Sequence, residues 1–120
     1  MLSEHEEQVA LIKWLKLNKY FFFAVPNGSK RDMVTARKLK DEGVKSGVAD
    51  LVVFLKNKIL FLELKRSPKK LKSGKLSYSN SKISLEQKAF LMKLEDYDYA
   101  VGRVGFGWKN CVEIIEELDK

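Results

Sequence analysis

Two short apolar runs, Val48 to Leu55 and Ile59 to Lys65, constrain this chain more than any other feature, because three charges interrupt them. Leu51-Val52-Val53-Phe54 and Ile59-Leu60-Phe61-Leu62 have the β-branched, aromatic and aliphatic content of strands buried in a sheet. Lys56-Asn57-Lys58 separates them, which predicts a hairpin with a short loop. Side chains alternate along a strand, so Glu63 and Lys65 share one face and Leu64 takes the other. If the hairpin turns near Asn57, Asp50 falls opposite Glu63. Two carboxylates and an amine then converge at one point of a buried sheet.

Charges beside a buried sheet are costly unless paired or bound to a metal. Two close carboxylates repel, which raises one pKa unless a cation sits between them. Mg²⁺ takes hard oxygen ligands: one or two carboxylates, waters and a substrate phosphate. Asp50 and Glu63 supply such a set, and Lys65 beside it is suited to orient or deprotonate a water and to offset phosphate charge. The bland reading is a cross-strand salt-bridge set at a sheet edge.

The rest of the chain reads as alternating helices and strands. Ser3 and Glu6 have capping-box spacing for a helix to about Leu17, with Val9, Ile12, Trp14 and Leu15 as its core face. Tyr20 to Val25 reads as a strand ended by Pro26-Asn27-Gly28. A helix is expected from Asp32 to Glu42, stopped by Gly43. Residues 66–83 read as an exposed, mobile loop rich in Lys and Ser. Ser84 and Gln87 open a helix to about Glu95, Tyr99 to Val104 forms a strand, and Asn110 caps a last helix to Leu118. The order α-β-α-β-β-α-β-α predicts an α/β fold with a mixed β-sheet flanked by helices, and 120 residues suit one domain.

Composition narrows the partners. The net charge is +7, and seven basic residues with no acidic one lie between Lys65 and Lys82. Such a patch favours a phosphate backbone. One cysteine, Cys111, and one histidine, His5, argue against a disulfide scaffold and a structural zinc site. No apolar run approaches membrane-spanning length, and the acidic N-terminus is unlike a signal peptide, so a cytoplasmic protein, in a bacterium or a virus-infected cell, with no membrane partner and no small-molecule cofactor is expected.

Asp50, followed by Glu63-Leu64-Lys65, resembles the motif of the PD-(D/E)XK nuclease superfamily. Within it the chain is similar to the virus-type replication-repair nuclease (VRR-NUC) domain family. The resemblance extends to Glu4 and Gln8, Pro26-Asn27-Gly28, the run Gly43 to Leu51, and Ser84 to Gln87. Ala49 stands where that family often has proline, a change in loop stiffness more than in chemistry. The resemblance implies a restriction-endonuclease-like core and phosphodiester hydrolysis with Mg²⁺ or Mn²⁺. Asp50, Glu63, the carbonyl of Leu64 and Glu4 would serve the metal, Lys65 would be catalytic and Gln87 would support it. It also implies a DNA substrate, in some members branched DNA in replication or repair, and a homodimer.

Nucleic-acid contacts are assigned to Asn27, Lys30, Arg31, Lys69, Lys70 and Lys72, each of which has a plainer reading as turn or solvated surface. The competing function is a non-catalytic nucleic-acid-binding module that works through the basic loop 66–82.

Overall fold

The computed structural model describes residues 1–26, 33–79 and 81–120. Helix α1 spans Glu4–Leu17, and its capping box is formed as expected: Glu6 N–H donates to Ser3 Oγ at 3.1 Å, and Ser3 N–H to Glu6 Oε1 at 3.0 Å. Strand β1, Phe21–Ala24, follows, then α2, Met33–Asp41. Strands β2, Leu51–Phe54, and β3, Ile59–Lys65, form the central hairpin. Strands β4, Lys69–Lys70, and β5, Leu76–Ser77, make a small separate hairpin. Helix α3 spans Leu85–Lys93, a 3-10 turn follows at Leu94–Asp96, and β6, Ala100–Phe106, leads into α4, Trp108–Leu118.

The main sheet has the order β1-β2-β3-β6. β1–β2 and β2–β3 pair antiparallel, while β3–β6 pair in parallel through the α3 crossover, so the sheet is mixed. Leu51 faces Leu62 and Val53 faces Leu60 across the hairpin. These four pack with Leu64, Leu11, Leu15, Val101, Cys111 and Ile115 into one core beneath α1 and α4. The alternate residues of β3 face the other way, where Phe61 meets Phe90 of α3 edge-on at 5.8 Å. Glu63 and Lys65 belong to this second set, so the α3 side of the sheet carries the charges.

Several expectations are corrected by long-range packing. The buried stripe of α1 is Glu7, Leu11 and Leu15, while Val9 is exposed. Tyr20 stands outside β1; it stacks on Trp14, and its hydroxyl donates to Asp119 Oδ2 at 2.9 Å. Segment 66–83 is not wholly irregular, since Leu71 N–H bonds Lys75 O at 2.8 Å and closes the β4–β5 hairpin. Asn110 does not cap α4. The helix starts three residues earlier, from Gly107, and Asn110 Oδ1 instead accepts the Phe106 N–H at 2.9 Å. The start of α2 at Asp32 lies outside the described residues. No helix among the described residues is long and apolar enough to cross a membrane.

Leu62 is fully buried at the centre of this core. Leu62→Ala is expected to cost about 3 kcal/mol of stability, seen as a lower urea midpoint at unchanged m value.

Candidate active site

Asp50 lies one residue before β2, and the pairing of Leu51 with Leu62 continues the register to set Asp50 beside Glu63. The Asp50 carboxylate is fixed from below: its Oδ2 accepts the Leu64 backbone N–H at 2.9 Å. Glu63 is only 2% exposed. Burial pushes its carboxyl up to about 8, helped by a hydrogen bond and charge repulsion from Asp50 and opposed by Lys65. The two carboxyls therefore meet as the alternation and hairpin length predicted.

Gln87 joins the parts. Its Nε2 donates to Glu63 Oε1 at 2.7 Å, while its Oε1 accepts from Lys65 Nζ at 3.3 Å and from Ser84 N–H at 2.9 Å. The same amide thus completes the α3 capping box and spans the acid and the amine of β3. Its position depends on Gly47, whose φ of +81° favours glycine. A Cβ at Gly47 would lie 2.5 Å from the Glu86 carbonyl and 2.8 Å from Gln87 N. The loop leading to Asp50 therefore rests directly on the first turn of α3, which sets the distance from Gln87 to the acid pair.

Glu4 is exposed in the first turn of α1, although its charge also raises Glu63. Gln8 is half-buried. Among the described residues no three His, Cys, Asp or Glu side chains converge as a metal set, so the convergent acids are Asp50 and Glu63. Lys69, Lys70 and Lys72 are exposed on and beside the β4–β5 hairpin. Asn27, Lys30 and Arg31 lie outside the described residues.

Sequence reasoning missed Glu7. It is 2% exposed and takes the Ser67 hydroxyl at 2.5 Å, the Ser67 N–H at 3.3 Å and the Trp108 N–H at 3.4 Å. Gly107 gives α4 no side-chain cap, and the Glu7 carboxylate occupies that helix end instead. The signal was available: Glu7, Leu11 and Leu15 are spaced by four, which puts an acid on the apolar stripe. Gly107, at φ +87°, permits the approach, because a Cβ there would strike Ser67 Oγ and Glu7 Oε2. Cys111 is a buried thiol pushed up to about 12 by its surroundings and then by the Glu7 and Asp50 charges, as fits a packing residue.

The raised Glu63 carboxyl fixes a sign. In the folded, metal-free protein it holds a proton between its ordinary value and about 8, a range where the unfolded chain has lost it. The unfolded state then binds fewer protons, so stability falls as pH rises through this window. Urea melts in EDTA from pH 5 to 9 are expected to show that fall, and Glu63→Gln is expected to flatten it.

No family model matches the chain, and no curated protein matches it in sequence. The chain is similar to a solved structure described as a VRR_NUC domain protein, with a TM-score of 0.74 and 23% identity over 98% of this chain and 88% of that one. The likeness shows the fold: a mixed sheet flanked by helices, consistent with a restriction-endonuclease-like core.

Proposed function

We propose that the protein is a divalent-metal-dependent nuclease that hydrolyses phosphodiester bonds in DNA. One observation carries the reading: Asp50, just before β2, and Glu63 of β3 meet beside Lys65, and Gln87 bridges the acid to the amine. The shared fold with a VRR_NUC domain protein supports it.

The donor set fits a hard cation. The two carboxyls are close enough for Asp50 to disfavour the charged form of Glu63, a penalty that a divalent ion would relieve. Asp50, Glu63 and the Leu64 carbonyl would hold Mg²⁺ or Mn²⁺, with Glu4 acting through water from α1. A bound ion would neutralise phosphate oxygens and acidify a water molecule.

The chain's own groups then have distinct tasks. Lys65 either places its ammonium charge against the phosphate and orients the attacking water, or, as a neutral amine, takes that water's proton. Water attacks phosphorus in line with the leaving oxygen, one P–O bond forming as the other breaks. Gln87 acts as a positioning residue, holding a Glu63 oxygen and the Lys65 amine in register. The Leu64 N–H keeps Asp50 from turning away. Lys69, Lys70 and Lys72, with Asn27, Lys30 and Arg31, would contact the flanking phosphates.

Residues 1–120 act as one nuclease domain. Two copies pair on branched DNA, in replication or repair, in the cytoplasm of a bacterium or a virus-infected cell. The alternative is a non-catalytic nucleic-acid-binding module, and the exposed lysines of the β4–β5 hairpin favour it.

Plasmid and branched-DNA cleavage with Mg²⁺ or Mn²⁺, against EDTA, separates the two. Asp50→Ala, Glu63→Ala and Lys65→Ala are each expected to lower the cleavage rate by at least about 100-fold while DNA binding persists. Gln87→Ala is expected to lose roughly 10- to 100-fold. Retention of wild-type cleavage by Asp50→Ala or Glu63→Ala removes the assignment, and a salt-dependent gel shift without cleavage by the wild-type protein supports the binding module.

A further inference from the structure

Arg66 follows Lys65 directly, and among the described residues no carboxylate pairs with it. The sole ion pair among the described residues joins Lys93 to Asp96. Arg66 is half-buried, and its Nε is the one buried side-chain nitrogen or oxygen among the described residues without a hydrogen-bond partner. Burying a guanidinium nitrogen without an acceptor is costly, and structures rarely leave one so. The same side chain lines a cavity of about 250 Å³ with Met1, Ser67, Lys69, Ser77 and Ser81. The cavity includes none of Asp50, Glu63, Lys65 or Gln87.

The walls of this cavity are built and not incidental. The Ser81 hydroxyl donates to the Arg66 carbonyl at 3.1 Å, which fixes the backbone that carries the guanidinium. Ser67 is committed to Glu7 through both its hydroxyl and its N–H. The Trp108 N–H adds a third donor to that carboxylate at 3.4 Å. Ser77 Oγ donates to Ser79 Oγ at 3.2 Å and accepts the Ser79 N–H at 3.4 Å. Among the side chains that line the cavity, the charged ones are the guanidinium of Arg66 and the ammonium of Lys69. A planar fork beside a point charge suits a tetrahedral oxyanion, since the guanidinium offers two parallel donors. Water occupies about 30 Å³ in the liquid, so a cavity of this size admits a phosphate group with room for its solvent.

We propose that this cavity is a phosphate-binding site anchored by Arg66, distinct from the acid pair and one residue past Lys65 on the β3 exit. Its ligand is a phosphate group, either part of a nucleic-acid backbone or free in solution. A backbone phosphate there fixes the strand at the foot of the basic β4–β5 hairpin. The site stands or falls without reference to cleavage, because binding at Arg66 needs no metal and none of the catalytic groups.

The test is an NMR titration of the full chain labelled at arginine Nε, in EDTA so that no cleavage occurs. Inorganic phosphate and a short DNA duplex are the two probes. The Arg66 Nε–H resonance is expected to shift saturably. If the duplex moves it and displaces phosphate, the ligand is the backbone; if phosphate saturates it and the duplex leaves it unmoved, the ligand is free phosphate. For a backbone ligand, Arg66→Gln is expected to weaken duplex binding by about tenfold and to lower the slope of log K against log salt by about one. The wild-type titration needs no variant, so misfolding of Arg66→Gln does not obscure it. An Arg66 resonance unmoved by both probes overturns the proposal, whatever the cleavage assay returns.

Discussion

Two carboxyls held side by side in a nearly dry part of the sheet are the constraint around which this molecule is arranged. Asp50 and Glu63 repel when both are charged, and Glu63 is buried deeply enough that its proton is retained up to about pH 8. Left to themselves, such groups would separate or turn to solvent. They are kept together because each is tied to something rigid. Asp50 is bonded to the Leu64 N–H of the neighbouring strand, and Glu63 to the Gln87 amide of α3. The β2–β3 register supplies the proximity, and these two bonds supply the direction.

The supports of the acid pair are themselves anchored by close backbone approaches. Gly47 lets the Asp50 loop lie on the first turn of α3, where a single methyl group would collide with the helix backbone. Gly105 admits Cys111 in the same way, and Gly107 admits Ser67 and Glu7. Glu7 then ties α1, the exit of β3 and the start of α4 into one unit, with its negative charge at the positive end of α4. The charged face of β3 and the cavity at Arg66 are thus held by the same strand. It is fixed on one side by α3 and on the other by α1 and α4.

Much of this was legible in the residues, and the reasons differ from element to element. The capping boxes at Ser3 and Ser84 are local, with partners three residues apart, and both formed as read. The hairpin and its register were legible because strand periodicity and loop length together leave one way to align Asp50 with Glu63. The last helix was misread because Asn110 is a good cap in isolation. In the fold, the end of α4 is served by Glu7, which lies 101 positions away in the chain. Val9 was mistaken for a core residue because a stripe of mixed apolar and charged residues admits two helical phases, and only the packed sheet selects between them.

By itself, the sequence determined what its short-range patterns encode: a mixed α/β order, a charged hairpin, two capped helices and a basic segment after β3. It did so because alternation and helical spacing act over a few residues and survive without knowledge of neighbours. The tertiary structure alone decided that Gln87 bridges Glu63 and Lys65, that Glu7 is buried at the start of α4, and that the Arg66 Nε has no partner among the described residues. Each of these joins groups from separate elements or depends on what burial removes from water. The cost of burying an unmatched polar group is set by the assembled fold and by no local pattern.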